Sequence, residues 1–278
     1  QKTQKMSTQN AAKKQKSGSG ATIFAYLVIP VALIVCEIIF HKVFGDGSHF
    51  EGGTNEGHPL PGDYLGVVYK GGFVVPLLMT LFLLVFTFSI ERGLALIKSA
   101  GKKSNDAFVR MIQKMLGEGK VAEAIAECDK QGGSLANVVQ AGLHKYQVMM
   151  TEEKMDKEQK MLAIQKELEE TTALELPGLE KNLVVIATIS NIGTLIALLG
   201  TVLGMIRAFA ALANAGAPDS AALATGISEA LINTAIGIAT SAIAIIMYNL
   251  FTTRIDKLTY AIEEAGFSIV QTFAANNK

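Results

Sequence analysis

Residues 183–252 read LVVIATISNIGTLIALLGTVLGMIRAFAALANA, then GAPDS, then AALATGISEALINTAIGIATSAIAIIMYNLFT. Both apolar runs exceed the roughly 20 residues with which an α-helix crosses a bilayer. The short segment between them is rich in turn-forming residues, and its Asp219 or Ser220 can cap the helix that follows. The stretch therefore predicts a hairpin of two transmembrane helices, at 183–215 and 221–252, joined by a turn at 216–220.

Each predicted helix of the hairpin contains more polar side chains than contact with lipid alone would favour. Thr201 and Thr234 lie equally far from the centre of the turn, so an antiparallel hairpin brings their hydroxyls to the same depth. At roughly 1.5 Å per residue, that depth is about 20–25 Å along each helix, well inside the hydrocarbon layer. We therefore predict that the two threonines belong to a polar pathway through the membrane.

Glu229 lies between the threonine level and the outer end of the hairpin. An ionised carboxylate at that depth costs a few kcal/mol unless it faces water or a partner. Arg207, at nearly the same depth, is one candidate partner. Helical spacing groups the remaining polar candidates with Glu229 or with Thr201 on two helix faces, which we predict to face a polar lumen: Asn233 and Thr240 on the second helix, Ser190 and Thr194 on the first.

Simpler explanations compete for several of these residues. A single hydroxyl in a span commonly bonds the carbonyl four residues earlier, and Glu229 with Arg207 could form a purely structural pair. The Gly200 and Gly204 pattern permits close helix approach, and we assign both, together with Gly237, to helix packing.

The composition of the whole chain indicates a membrane protein. Of its 278 residues, 50% are hydrophobic and 18% are charged, and the formal net charge is zero, which favours no nucleic-acid partner. Cys36 and Cys128 show no metal-ligand or disulfide pattern, and the four histidines fit no ligand spacing. The spans lack protease motifs such as HExxH. We therefore predict no enzyme activity, no catalytic residue, no metal and no cofactor.

Outside the hairpin, we predict two further spans and four polar segments. The run 21–43 is an extra N-terminal transmembrane helix; a signal peptide is the alternative, disfavoured by the length of the run and by the lack of a cleavage site. The fold is then all-α, a polytopic membrane protein with four transmembrane helices and long helices extending into a helical cytoplasmic region. The other segments are a disordered basic tail (1–20), a periplasmic loop (44–72), the second transmembrane helix (73–97), a cytoplasmic helical region (98–182) and a cytoplasmic C-terminal helix (253–278).

The distribution of Lys and Arg predicts the topology. The N-terminal tail, the 98–182 region and the C-terminal tail all contain clusters of basic residues, whereas the 44–72 loop contains one lysine and the 216–220 turn none. Four spans with both termini in the cytoplasm satisfy this pattern. Within the cytoplasmic region we predict helices near 106–114, 120–130, 135–147 and 152–175, with a bend at Pro177-Gly178.

Two motifs at family spacing resemble the MotA/TolQ/ExbB proton-channel family, closest to ExbB and TolQ. They are LLGTVLGMIRAF at 198–209 and GISEALINTAIG at 226–237, with Tyr248-Asn249 closing the span. The resemblance extends over about residues 70–255. It departs from the family at Thr194 and Ile243, where prolines are common, and in the extra N-terminal span.

The resemblance implies a homopentamer in the bacterial inner membrane, with a central pore lined by the hairpin. It also implies an ExbD-like single-span partner in the pore, bringing a proton-relay aspartate, and a TonB-like periplasmic protein that receives the force. The family's pore threonines match Thr201 and Thr234, and its membrane glutamate matches Glu229. A TolQ-, MotA- or gliding-type stator, or a non-conducting membrane scaffold, remains an alternative function.

Overall fold

The computed structural model of the chain describes residues 26–213 and 220–276. Across these residues the chain is helical and forms no strand; Phe50 and Pro59 make one isolated bridge in a loop. Four helices in these ranges are long and apolar enough to cross a membrane: α1 (Tyr26–Phe44), α3 (Val74–Ala100), α8 (Leu183–Ala213) and α9 (Ser220–Asn276). The predicted all-α, polytopic membrane fold is confirmed.

Several predictions lie outside the described residues. They are the basic tail at 1–20, the first residues of the predicted N-terminal span at 21–25, and the turn at 216–219 with its capping Asp219. The described residues form two compact units. One holds those within Gln1–Ser89 and Val184–Tyr248, and the other holds those within Ile90–Leu183 and Asn249–Lys278.

In the first unit, α3, α8 and α9 pack around a small apolar core. Val74 and Leu78 of α3 are buried against Ala197 of α8, with Ile196, Leu203 and Ile236 around them. Large apolar side chains elsewhere on α8, such as Leu195, Leu198 and Val202, remain exposed on the single chain. Exposed apolar side chains on a membrane helix are free to meet lipid or another protein chain.

The 44–72 segment is folded around an aromatic cluster. Tyr69, at the end of the short helix α2 (Tyr64–Tyr69), stacks on Phe40 with ring centroids 4.8 Å apart and meets the edge of Phe50. Asp63 caps α2 by accepting hydrogen bonds from the backbone N–H groups of Leu65 and Gly66. The predicted loop therefore has its own fixed structure, and its periplasmic location stays a prediction.

The second unit contains the predicted polar helices. They are α4 (Asn105–Gly117), α5 (Val121–Gln131), α6 (Gly133–Thr151) and α7 (Lys157–Glu180). The fourth helix begins at residue 157 rather than near 152 because Asp156 forms a reciprocal capping box with Gln159. The predicted transmembrane and C-terminal segments 221–252 and 253–278 join in one helix, α9, because no glycine or proline interrupts the sequence between them.

The predicted bend at Pro177-Gly178 does not end a helix. Helix α7 continues past Pro177 to Glu180, and the turn comes at Lys181-Asn182, where Asn182 has a positive φ of 62°. Arg92 stabilises the helix end because its Nη1 donates to the carbonyls of Gly178, Leu179 and Lys181 at 3.2, 3.0 and 2.6 Å. These hydrogen bonds satisfy carbonyls that a helix end leaves without intrahelical partners.

Candidate functional site

Glycines let α8 and α9 approach closely along the hairpin. A Cβ added at Gly204 would lie 2.8 Å from the backbone nitrogen of Ala230, and one at Gly200 would lie 2.7 Å from the Cβ of Asn233. At Gly237 an added Cβ would overlap Ala197. All three glycines assigned to packing from the sequence therefore lie at the contact. Gly226, which meets the backbone of Ala208 in the same way, was missed, although it stands in the second motif.

Thr201 and Thr234 meet at this contact. Their hydroxyls are hydrogen-bonded to each other, and both side chains are half-buried. Thr201 Oγ1 also lies 3.0 Å from the carbonyl oxygen of Ala197, and Thr234 Oγ1 lies 3.0 Å from that of Ala230. Each threonine hydroxyl therefore lies within hydrogen-bond distance both of the other threonine and of the carbonyl four residues earlier on its own helix.

The threonine pair has two equivalent hydrogen-bond arrangements. Each hydroxyl has one proton to donate and can accept from the other. Either Thr234 donates to Thr201 while Thr201 donates to its own helix, or Thr201 donates to Thr234 while Thr234 donates to its own helix. In either state each hydroxyl has an acceptor for its proton, so the direction of the pair can reverse without leaving a proton unbonded.

Glu229 is paired with Arg207, as the depth argument allowed. Arg207 Nη1 lies 2.5 Å from Glu229 Oε1, and the side chain of Glu229 is only 5% exposed whereas that of Arg207 is 51% exposed. The guanidinium also stands over the ring of Phe73, 5.6 Å from its centroid. The carboxylate is thus enclosed by its own chain, and the cation extends to the surface of the chain.

Asn233 and Thr240 are likewise covered inside the chain. Asn233 is fully buried; its Nδ2 donates to the carbonyl of Gly71 at 2.9 Å, and its Oδ1 has no hydrogen-bond partner among the described residues. Thr240 is also fully buried and donates to the carbonyl of Ile236. The helix face that carries these residues and Glu229 therefore packs against the chain's own helices, and a lumen-facing role for it stays a prediction.

The remaining predicted pathway residues lie on the first helix of the hairpin. Thr194 is exposed and donates to Ser241 Oγ at 2.9 Å, while half-buried Ser190 donates to the carbonyl of Ala187 at 2.6 Å. Ser241 was not among the predicted site residues, although it is as far from the turn as Thr194. The structure thus brings together three cross-helix polar pairs: Thr194 with Ser241, Thr201 with Thr234, and Arg207 with Glu229.

Titratable groups outside the spans form ion pairs, such as those of Glu127 with Lys103 and Lys130, but no metal-type cluster in residues 26–213 and 220–276. No group of three or more His, Cys, Asp or Glu side chains comes together there as a metal site would require. Burial raises the pKa of the Cys128 thiol to about 12, so this cysteine is held in its unreactive protonated form.

The fold and these contacts define a multi-pass membrane protein with a polar network inside a glycine-packed helical hairpin. A sequence model of the MotA/TolQ/ExbB proton channel family matches residues 131–264, which include every predicted pathway residue. The chain belongs to this family. The family is one of proton channels and not a family of enzymes.

Three relatives show how far the similarity extends. The Tol-Pal system protein TolQ of Pseudomonas aeruginosa is 28% identical over 168 residues, which are 60% of this chain and 72% of the relative. TolQ of Haemophilus influenzae is 37% identical over 30% of this chain and 37% of its own length. The biopolymer transport protein ExbB of Salmonella typhimurium is 39% identical over 31% of this chain and 35% of its own length. The more identical matches thus span little more than a third of those relatives.

Proposed function

We propose that the chain is an ExbB-like stator of a proton-driven motor in the bacterial inner membrane. Five copies would surround a pore that holds an ExbD-like partner, and proton flow would exert force on a TonB-like protein for outer-membrane transport. Both termini would lie in the cytoplasm. The observation that carries the proposal is the reversible hydroxyl pair of Thr201 and Thr234, set at one depth within two membrane-length helices.

The pair supports a proton pathway that is completed by another chain. Hydroxyls relay protons by exchanging donor and acceptor roles, but they do not store a charge at ordinary pH. Glu229 is the one acidic residue in the sequence runs 183–215 and 221–252, and it is bonded to Arg207 rather than to the threonines. A carboxylate at the threonine level would therefore come from a partner, which is the role that the proposal gives to the ExbD-like protein.

Exposure on the single chain supports the pore-lining assignment differently for each residue. Thr194 is exposed, and Thr201, Thr234 and Ser190 are half-buried, so they remain accessible to a lumen between copies. Asn233 and Thr240 would act from behind this surface by holding the helices in register. Gly200, Gly204 and Gly237 would keep the two pore helices in contact.

A Tol-type motor is a second candidate for the system that the stator serves. The TolQ relative aligns over 72% of its own length, whereas the Salmonella ExbB relative aligns over 35%. The contacts within the hairpin suit either system, because they concern proton passage rather than the periplasmic partner. Identification of the single-span protein that co-purifies with the complex would distinguish a Ton-type from a Tol-type motor.

The function is tested by proton uptake into liposomes containing the complex purified with its partner. We expect Thr201→Val combined with Thr234→Val, and separately Glu229→Ala, to abolish uptake while the mass of the intact oligomer is unchanged. Thr188→Val is the matched control, because Thr188 is exposed on the same helix and bonds only the carbonyl of Val184. Full proton uptake in the double-valine variant would contradict the proposed pathway. If Glu229→Ala also leaves proton uptake unchanged, the result would favour a non-conducting scaffold.

A further inference from the structure

The surroundings of Glu229 contain a third element that the sequence motifs do not mark. The segment Gly71-Gly72-Phe73, between α2 and α3, lies against the ion pair. Gly72 has a φ of +78°, and a Cβ there would overlap Glu229 Oε1 and lie 3.2 Å from Arg207 Nη1. Phe73 supplies the ring beneath the guanidinium. Glu229 is thus held by α8 on one side and by the 71–73 segment on the other.

The same segment also holds the next polar residue along α9. The carbonyl of Gly71 accepts from Asn233 Nδ2, one helical turn from Glu229. The 71–73 segment therefore contacts two successive turns of α9 through backbone atoms that only glycine leaves accessible. This arrangement fixes the position of the Glu229 carboxylate relative to the hairpin.

We propose that Arg207 is the positioning residue of Glu229: its guanidinium keeps the carboxylate docked against the 71–73 segment. The inference rests on the proposed function, since it assigns a role to Arg207 within the proton pathway. An ionised carboxylate inside a membrane is costly without a countercharge, and Arg207 is the charged side chain that meets Glu229 in the described structure. Gly72, which lies against the Glu229 carboxylate, is uncharged, and so are its chain neighbours Gly71 and Phe73.

The geometry also indicates how the pair communicates with its surroundings. Glu229 is enclosed, whereas half of the Arg207 side chain is exposed. A proton or a partner group arriving at the surface therefore meets Arg207 before it meets the carboxylate. The pair requires a positive charge at position 207 rather than a particular side-chain shape, because a single Nη1 makes the contact.

The test compares proton uptake by the intact complex in the Arg207→Gln and Arg207→Lys variants. We expect Arg207→Gln to lower uptake by at least ~10-fold, as loss of a charge-assisted hydrogen bond implies, and Arg207→Lys to restore most of it. Ile206→Gln is the matched control, because Ile206 is the exposed neighbour of Arg207.

A second variant tests positioning without removing the charge. Phe73→Leu keeps the ion pair and removes the ring beneath the guanidinium, so we expect uptake to fall by about 3-fold, in line with a cation–π contact at a half-exposed site. If the Arg207→Gln complex fails to assemble, the Phe73→Leu variant tests the positioning role of Arg207 in its place. Wild-type uptake in Phe73→Leu would then overturn the inference.

The outcomes separate this inference from the proposed function. Wild-type uptake in an assembled Arg207→Gln complex overturns the role of Arg207, while loss of uptake in the double-valine variant still supports the pathway. If the double-valine and Glu229→Ala variants also conduct normally, the proposed function itself fails. Low uptake in both Arg207→Gln and Arg207→Lys indicates that packing of the arginine side chain matters rather than its charge, and also overturns the inference.

Discussion

Two arginines, one in each unit, are held mainly by different kinds of partner. Arg92 is 2% exposed; its Nη1 donates to three backbone carbonyls around the end of α7, and its Nη2 contacts Glu91 Oε1 at the longer distance of 3.4 Å. Arg207 is half-exposed and contacts the carboxylate of Glu229. Backbone carbonyls do not titrate, whereas a carboxylate gains or loses a proton. Arg92 is therefore held mainly by backbone groups that carry no charge, and Arg207 is held by a side-chain carboxylate.

Removing Arg92 should have the largest effect on stability. Arg92→Ala leaves three carbonyls of the α7 end without their donor and opens a buried space, so we expect a loss of about 3–5 kcal/mol in the free energy of unfolding. The measurement is denaturant unfolding in detergent, followed by circular dichroism. Arg110→Ala is the control, because Arg110 is exposed on α4, and we expect a change within about 0.5 kcal/mol. Similar losses in the two variants would refute the assigned role of Arg92.

Exchange of each arginine for lysine should sharpen the contrast between the units. Arg92→Lys keeps the charge, but one ammonium on a shorter side chain replaces both Nη1, which bonds three carbonyls, and Nη2, which contacts Glu91, so we expect a loss of about 2 kcal/mol. Arg207→Lys replaces one cation by another opposite a single carboxylate, and we expect a loss under about 1 kcal/mol. Both are measured by the same unfolding experiment. Equal losses in the free energy of unfolding at the two positions would show that the type of partner does not determine whether lysine can replace arginine.

The sequence predicted the pairing between the hairpin helices well. Once two antiparallel spans and a turn are recognised, the depth of each residue follows from counting residues from the turn. This count matched Thr201 with Thr234 and Arg207 with Glu229, and the side chains of both pairs are in contact. The same count also places Thr194 and Ser241 at one depth, but this pair was not predicted from the sequence. The number and helical character of the spans followed from run length, because a bilayer imposes both.

The sequence did not predict which neighbour a helix face meets. Helical spacing placed Glu229, Asn233 and Thr240 on one face, but periodicity does not tell a lumen from a packed interface. The decisive contact comes from Gly71, 162 positions before Asn233. Arg92 was similarly hidden, because it follows a span as an interfacial cation would, whereas its carbonyl partners lie 86 to 89 positions later in the chain.

A third prediction concerns the turn that Arg92 stabilises. Asn182 has φ of +62° and donates from Nδ2 to Glu91 Oε2 at 3.0 Å. Asn182→Gly loses the hydrogen bond but tolerates this backbone conformation, so we expect a loss under about 1 kcal/mol. Asn182→Ala adds the strain of a left-handed alanine, and we expect about 2 kcal/mol. Denaturant unfolding measures both, and a glycine variant less stable than the alanine variant would contradict the backbone argument.

The smallest expected effect concerns Asp63, a half-buried carboxylate that bonds both a titratable side chain and backbone N–H groups. Its Oδ2 lies 2.7 Å from His49 Nδ1, and its Oδ1 accepts from the N–H groups of Leu65 and Gly66. The hydrogen bond with His49 is the main cause that lowers the pKa of Asp63 below its usual value, and the backbone N–H groups add to it. Since the folded pKa is the lower one, this stabilisation is fully present above the ordinary carboxyl pKa of about 3.9. It is lost as the pH falls through the lowered folded value.

Hydrogen exchange at Leu65 and Gly66 tests this pH dependence. In the wild type we expect protection of both amides to be constant above about pH 4 and to decline in more acidic solution, as Asp63 takes up its proton. Asp63→Asn should show lower protection at neutral pH and no such decline. Glu51→Gln, in the same loop, should behave like the wild type. If the acid-induced decline in amide protection persists in Asp63→Asn, another group is responsible for the titration. The distinction between partners that titrate and backbone partners that do not would then not extend to this loop.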